Sequence, residues 1–110
     1  MDFADARSRS THVRSLYEQL ERRHHGSEWT TSELVVGLMQ DVGDLGRLVM
    51  ASEGRWAHGA DVPAELGHEL GEVLWWLFVL AERTGIDLEV AFERFLAERV
   101  ERLTAAVERI

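Results

Sequence analysis

The chain predicts an all-α fold, a four-helix bundle in a single domain over residues 1–110. Three observations support it. Apolar residues recur at helical spacing along most of the 110 residues, there is one Pro, and no segment alternates for long with the period of a strand. Helix start and stop signals also fall at regular intervals. The length suits one modest core and not two.

The first helix is expected over roughly residues 5–24, with Val13, Leu16, Tyr17 and Leu20 as its apolar stripe. His24-His25-Gly26-Ser27 ends it. Thr30-Thr31-Ser32-Glu33 fits a capping box, a hydroxyl followed three residues later by Glu. The second helix then runs to about residue 52, with Leu34, Leu38, Val42, Leu45 and Val49 on one face. A glycine-bearing loop over 53–61 carries Arg55, Trp56 and His58. Pro63 suits the first turn of the third helix. That helix continues to about residue 84, where Gly85 is a natural stop. Asp87 can cap the fourth helix, which carries Val90, Ala91, Phe95, Val100 and Leu103.

Two features of these helices need a reason. Gly37, Gly43, Gly46, Gly67 and Gly71 lie inside them, each costing about 1 kcal/mol relative to Ala. Close approach of the second and third helices would explain Gly43 and Gly71. The run Val73-Leu74-Trp75-Trp76-Leu77-Phe78-Val79-Leu80 is apolar on every side, so the third helix is expected to be buried all round. One small bundle seldom achieves that, and a subunit interface through the third helix, in a dimer or tetramer, is the expectation.

Composition narrows the partners. Net charge is −8, which disfavours a nucleic-acid duplex. There is no Cys, hence no disulfide framework, Cys-ligated zinc or thiol nucleophile. MDFADARSRS lacks the apolar stretch of a signal peptide. The longest apolar run, Val73 to Ala81, is far short of the ~20 residues that span a bilayer. A soluble, cytoplasmic protein without a membrane partner is expected.

The chemistry concentrates in two acidic pairs, Asp41 with Asp44 and Glu69 with Glu72. Residues three apart share a helix face, so each pair points two carboxylates one way. Packed face to face, the helices would bring four carboxylates together. That much like charge calls for a hard divalent cation, Mg²⁺ or Mn²⁺. A solvated face with pairs such as Asp44–Arg47 is the plain alternative, but Leu38, Val42, Leu45 and Leu48 flank the first pair. Trp29 and Trp56 could stack on a base. Arg47, Arg55, Arg99 and Arg102 could neutralise phosphates. Trp75 and Trp76 read as core or interface. Glu65 reads as an exposed helix acid, and His68 as turned away from the acidic face.

Leu38-Met39-Gln40-Asp41-Val42-Gly43-Asp44-Leu45, followed by Glu69-Leu70-Gly71-Glu72-Val73-Leu74-Trp75-Trp76-Leu77, resembles the MazG-like nucleotide pyrophosphohydrolases, a superfamily that includes the dCTP pyrophosphatases. Its signature is E-x-x-E on one helix and E-x-x-D on the next. Leu80-Ala81-Glu82-Arg83-Thr84-Gly85-Ile86-Asp87-Leu88 also looks like the family's link into its last helix. The resemblance covers about residues 29–102. It implies Asp41, Asp44, Glu69 and Glu72 as Mg²⁺ ligands and catalytic carboxylates. It also implies cleavage of a standard or modified nucleoside triphosphate to monophosphate and pyrophosphate, as a house-cleaning hydrolase. Asp stands for Glu at 41 and 44, Glu for Asp at 72, and Gln40 where the family usually has Glu. The family's Lys and Asn of the last helix have Arg94 or Phe95 and Arg99 as nearest matches. A degenerate helical module that binds nucleotide or metal, or only oligomerises, is the alternative reading.

Overall fold

The computed structural model describes residues 1–59 and 61–110; residue 60, in the loop expected over 53–61, lies outside them. Four helices follow in order: α1 (Phe3–His25), α2 (Thr31–Ser52), α3 (Val62–Thr84) and α4 (Leu88–Glu108). No strand occurs among the described residues. No helix is long and apolar enough to cross a membrane.

Local chemistry sets the helix ends. Thr30 and Glu33 close the expected capping box on α2. Asp2 and Asp5 form a second one, which starts α1 two residues before the position the apolar stripe suggested. Asp61 and Asp87 cap α3 and α4 by accepting from the Ala64 and Val90 amides. Gly85 ends α3 in the left-handed region at φ 71° and Gly26 ends α1 at φ 77°, where a Cβ would be strained.

α2 and α3 pack antiparallel. Arg83 near the end of α3 reaches Thr31 at the start of α2, and Trp76 meets Gly37 and Asp41 at mid-length. Leu34, Trp76 and Val79 form the core, with Leu38, Trp75 and Leu80 against it. α1 lies over one side of α3. Tyr17 packs on Trp75 with ring centroids 5.6 Å apart, Phe3 on Phe78 at 5.5 Å, and Trp75 Nε1 donates to the Ser10 carbonyl at 3.1 Å.

Four expectations change in detail. On α2 the inward side is Leu34 and Leu48, while Val42 and Val49 point outward and are exposed. The reason is the hundred-degree step of the helix, which places 42 and 49 about 80° and 60° from Leu34. The α1 stripe Val13, Leu16, Tyr17 and Leu20 stays half-exposed, and the one buried α1 residue is Arg14. Close helix approach is met at Gly37 only: a Cβ there would lie 2.6 Å from the Trp76 ring, whereas one at Gly43, Gly46, Gly67 or Gly71 would meet nothing within 4 Å. Within one chain α3 is not buried all round, since Leu70, Leu74 and Leu77 are exposed while Trp76, Phe78 and Val79 are covered. α4 buries none of its residues. The radius of gyration is 17.6 Å, against about 13 Å for a compact chain of this length.

Candidate metal centre

The mid-length contact of α2 with α3 brings carboxylates together. Asp41, Glu69 and Glu72 each offer an oxygen, and these three atoms lie within 4.8 Å of one another. The i, i+3 spacing of Glu69 and Glu72 puts both on the side of α3 that faces α2. Trp76, one turn beyond Glu72, donates its indole Nε1–H to Asp41 Oδ2 at 2.5 Å. That bond fixes the Asp41 carboxylate and explains a buried indole in the core. Asp44 stands outside the three-residue group; it lies one turn along α2 and acts on Glu69 by charge.

The electrostatics are lopsided. Burial, together with hydrogen bonding and repulsion from Asp41 and further charge from Glu72 and Asp44, pushes Glu69 up to about 7. Burial and Asp41 raise Glu72 as well, with His68 opposing. Burial also acts to raise Asp41, but bonds from Trp76, Glu69 and Glu72 prevail and hold it below the usual range. Three carboxyls thus share a site in which their negative charges repel, and a proton held on Glu69 relieves that repulsion. Glu69 Oε1 is buried and has no hydrogen-bond partner. An orphan acceptor beside two further carboxylates suits an oxygen-loving cation.

Two cavities flank the cluster. One, of about 740 Å³, is lined by Asp41 and Glu72 together with Tyr17, Trp29, Trp75 and Trp76. The other, of about 530 Å³, holds Asp44 and Glu69 with Arg47, Trp56 and His58. The Arg47 guanidinium sits 5.5 Å from the Trp56 ring centroid, a cation–π contact that ties the 53–59 segment to α2. His58 pairs with Glu65, whose side chain stays 45% exposed.

Trp29 and the pair Arg47–Trp56 therefore fall on opposite sides of the carboxylates. Arg99 and Arg102 line neither cavity. They belong to α4, where both lie 3.9 Å from Glu98 and Arg99 stacks on Phe95 at 4.6 Å.

Sequence reasoning missed two participants. His68 is not turned away: its Nε2 lies 3.5 Å from Glu72 Oε1, and it borders both cavities. Its i, i+4 spacing to Glu72 was the available signal. Arg14, buried against Glu21, lines the aromatic cavity; Glu21 also accepts the Trp29 amide at 2.8 Å. The i, i+7 spacing of Arg14 and Glu21 marks a shared face but not its burial. Arg83 completes the clamp by donating to the Trp29 carbonyl at 3.2 Å.

Neither family models, nor curated proteins, nor solved structures yield a match to this chain.

Proposed function

We propose that the protein is a homo-oligomeric, Mg²⁺- or Mn²⁺-dependent nucleotide pyrophosphohydrolase of the MazG-like kind, acting in the cytoplasm on a standard or modified nucleoside triphosphate. The observation that carries this reading is the cluster of Asp41, Glu69 and Glu72, with its orphan oxygen, flanked by two cavities. Asp41, Glu69 and Glu72 would hold the ion, with Asp44 beside them. A bound divalent ion supplies charge neutralisation for an anionic transition state and a more acidic water.

The rest follows from the chain's own groups. The aromatic cavity, walled by Trp29, Tyr17 and Trp75, offers ring faces on which any base can stack. Arg47 and His58 in the second cavity offer donors to phosphate oxygens. Glu69, raised to about 7 by its neighbours, would give up its proton near neutral pH when an ion takes its place. Trp76 keeps Asp41 ionised and oriented.

The test is pyrophosphate release from a panel of triphosphates with Mg²⁺ or Mn²⁺. Asp44→Asn/Glu69→Gln is expected to lower kcat at least ~100-fold, the scale on which a positioned acid–base group acts. Full turnover in that variant would remove these residues from the mechanism. One observation favours a second reading, a non-catalytic module that binds nucleotide or metal: Arg99 and Arg102, offered as phosphate ligands, point to partners on their own helix. Metal-dependent stabilisation without turnover across the panel would select it.

A further inference from the structure

Among the described residues that line the aromatic cavity, Trp29 alone lies outside the helices, in the connection between α1 and α2. A side chain carried on irregular backbone is ordinarily the least fixed wall of a site. Here that backbone is held at both of its polar atoms. The Trp29 amide donates to Glu21 Oε1 of α1 at 2.8 Å, and the Trp29 carbonyl accepts from Arg83 Nη2 of α3 at 3.2 Å. Both neighbours are tied as well: Glu28 pairs with Arg22, and Arg83 Nη1 reaches Thr31 Oγ1 at 3.4 Å. Trp29 nonetheless stays 38% exposed. Its main chain is fixed while its side chain remains open to a ligand.

The hold is anchored on a buried ion pair. The Glu21 Oε1 that accepts the Trp29 amide also accepts from Arg14 Nη2, and the two side chains are only 7% and 11% exposed. Such a pair is a poor device for stability alone. Desolvation offsets much of the attraction, and apolar side chains of similar size often serve as well or better. Arg14 carries a further cost, since its Nε is buried without a hydrogen-bond partner. What the pair does supply is direction. A carboxylate locked by Arg14 presents its oxygen to one place, and the Trp29 amide occupies that place.

We infer that Arg14, Glu21 and Arg83 are positioning residues, which hold Trp29 as a wall of the aromatic cavity in the setting where its ring stacks on the base of a nucleotide. The inference rests on the function proposed above in one respect, that a base enters this cavity, and it is independent of turnover. It makes the discrimination between a ligand with a base and one without depend on side chains that lie on three separate segments of the chain.

The test compares ligands that differ only in the base: AMP, GMP, CMP and UMP against ribose 5-phosphate, each titrated calorimetrically into the full chain with Mg²⁺. The wild type should bind at least one monophosphate about tenfold more tightly than ribose 5-phosphate, the scale of one stacked base. Trp29→Ala should remove most of that ratio. Arg14→Met/Glu21→Leu replaces the ion pair by apolar side chains and should keep or raise Tm, yet lose the ratio as Trp29→Ala does. Arg14→Met/Glu21→Gln returns an acceptor to the Trp29 amide and should recover it. Arg83→Met releases the carbonyl alone; it should lower the ratio with the fold intact, and it decides the matter if Arg14→Met/Glu21→Leu does not fold. A folded Arg14→Met/Glu21→Leu or Arg83→Met protein with the wild-type ratio would overturn the inference. A wild type that binds ribose 5-phosphate as tightly as every monophosphate would also overturn it, because no base would then stack in the cavity. Pyrophosphate release from triphosphates, measured on the same wild-type protein, reports separately on the proposed reaction.

Discussion

Glu69 carries its proton in the folded protein up to about pH 7, whereas the unfolded chain releases it near the ordinary 4.5. Between these values the native state binds more protons than the unfolded one, so stability falls as pH rises through that window. Glu72 is shifted the same way; Asp41, shifted down, contributes stability that is lost only in acid, below its ordinary 3.8. A divalent ion competes with the proton on Glu69, so its affinity should climb from pH 6 to 8. Urea denaturation at pH 5, 6, 7 and 8, with EDTA or with Mg²⁺, reads both effects. The EDTA series should decline with pH and the Mg²⁺ series should recover at the upper end. Parallel curves would mean that the cluster binds no ion.

At the scale of elements, the pairing of α2 with α3 turns on one glycine. An alanine at position 37 would gain about 1 kcal/mol of helix preference. Its Cβ, however, would lie 2.6 Å from Cη2 and Cζ2 of Trp76, a ring pinned by its bond to Asp41. Overpacking of this kind costs about 1–3 kcal/mol. Gly37→Ala should therefore destabilise the fold by about 1 kcal/mol, a fall in Tm of roughly 4–8 °C for a domain of this size. Gly67→Ala, with open space around it, should raise Tm instead. Calorimetry of the two variants decides; a Gly37→Ala protein as stable as the parent would show that the Trp76 ring has room to move. Because that ring also holds Asp41, Gly37→Ala should weaken metal binding as well.

For the whole molecule the decisive quantity is surface. Among the described residues five apolar side chains are buried, Leu34, Trp76 and Val79 among them, while α4 contributes none. So small a core is marginal by itself against the conformational entropy of ordering four long helices. If a second copy supplies the rest, folding and association are linked and stability depends on protein concentration. Tm measured between about 1 and 100 µM chain should rise with concentration, by mass action. A constant Tm across that range would show that one chain is sufficient.

The helices, their caps and the acidic pairs were legible because they rest on local rules. Thr30, Gly85 and Asp87 act through neighbours within four residues, and the i, i+3 spacing of Glu69 and Glu72 is a property of any helix. Which carboxylates meet was decided by tertiary structure: the crossing of α2 with α3 at Gly37 and Trp76 brings in Asp41 and leaves Asp44 one turn away. The same crossing sends Val42 and Val49 outward, although spacing alone grouped them with Leu34, because a five-residue stripe on α2 is wider than the strip that α3 covers. The sequence by itself determined an all-α chain with paired acids on its second and third helices. The three-carboxylate cluster, the proton held on Glu69 and the hold of Glu21 and Arg83 on Trp29 came only with the fold, since each depends on the distance between groups that the backbone keeps far apart.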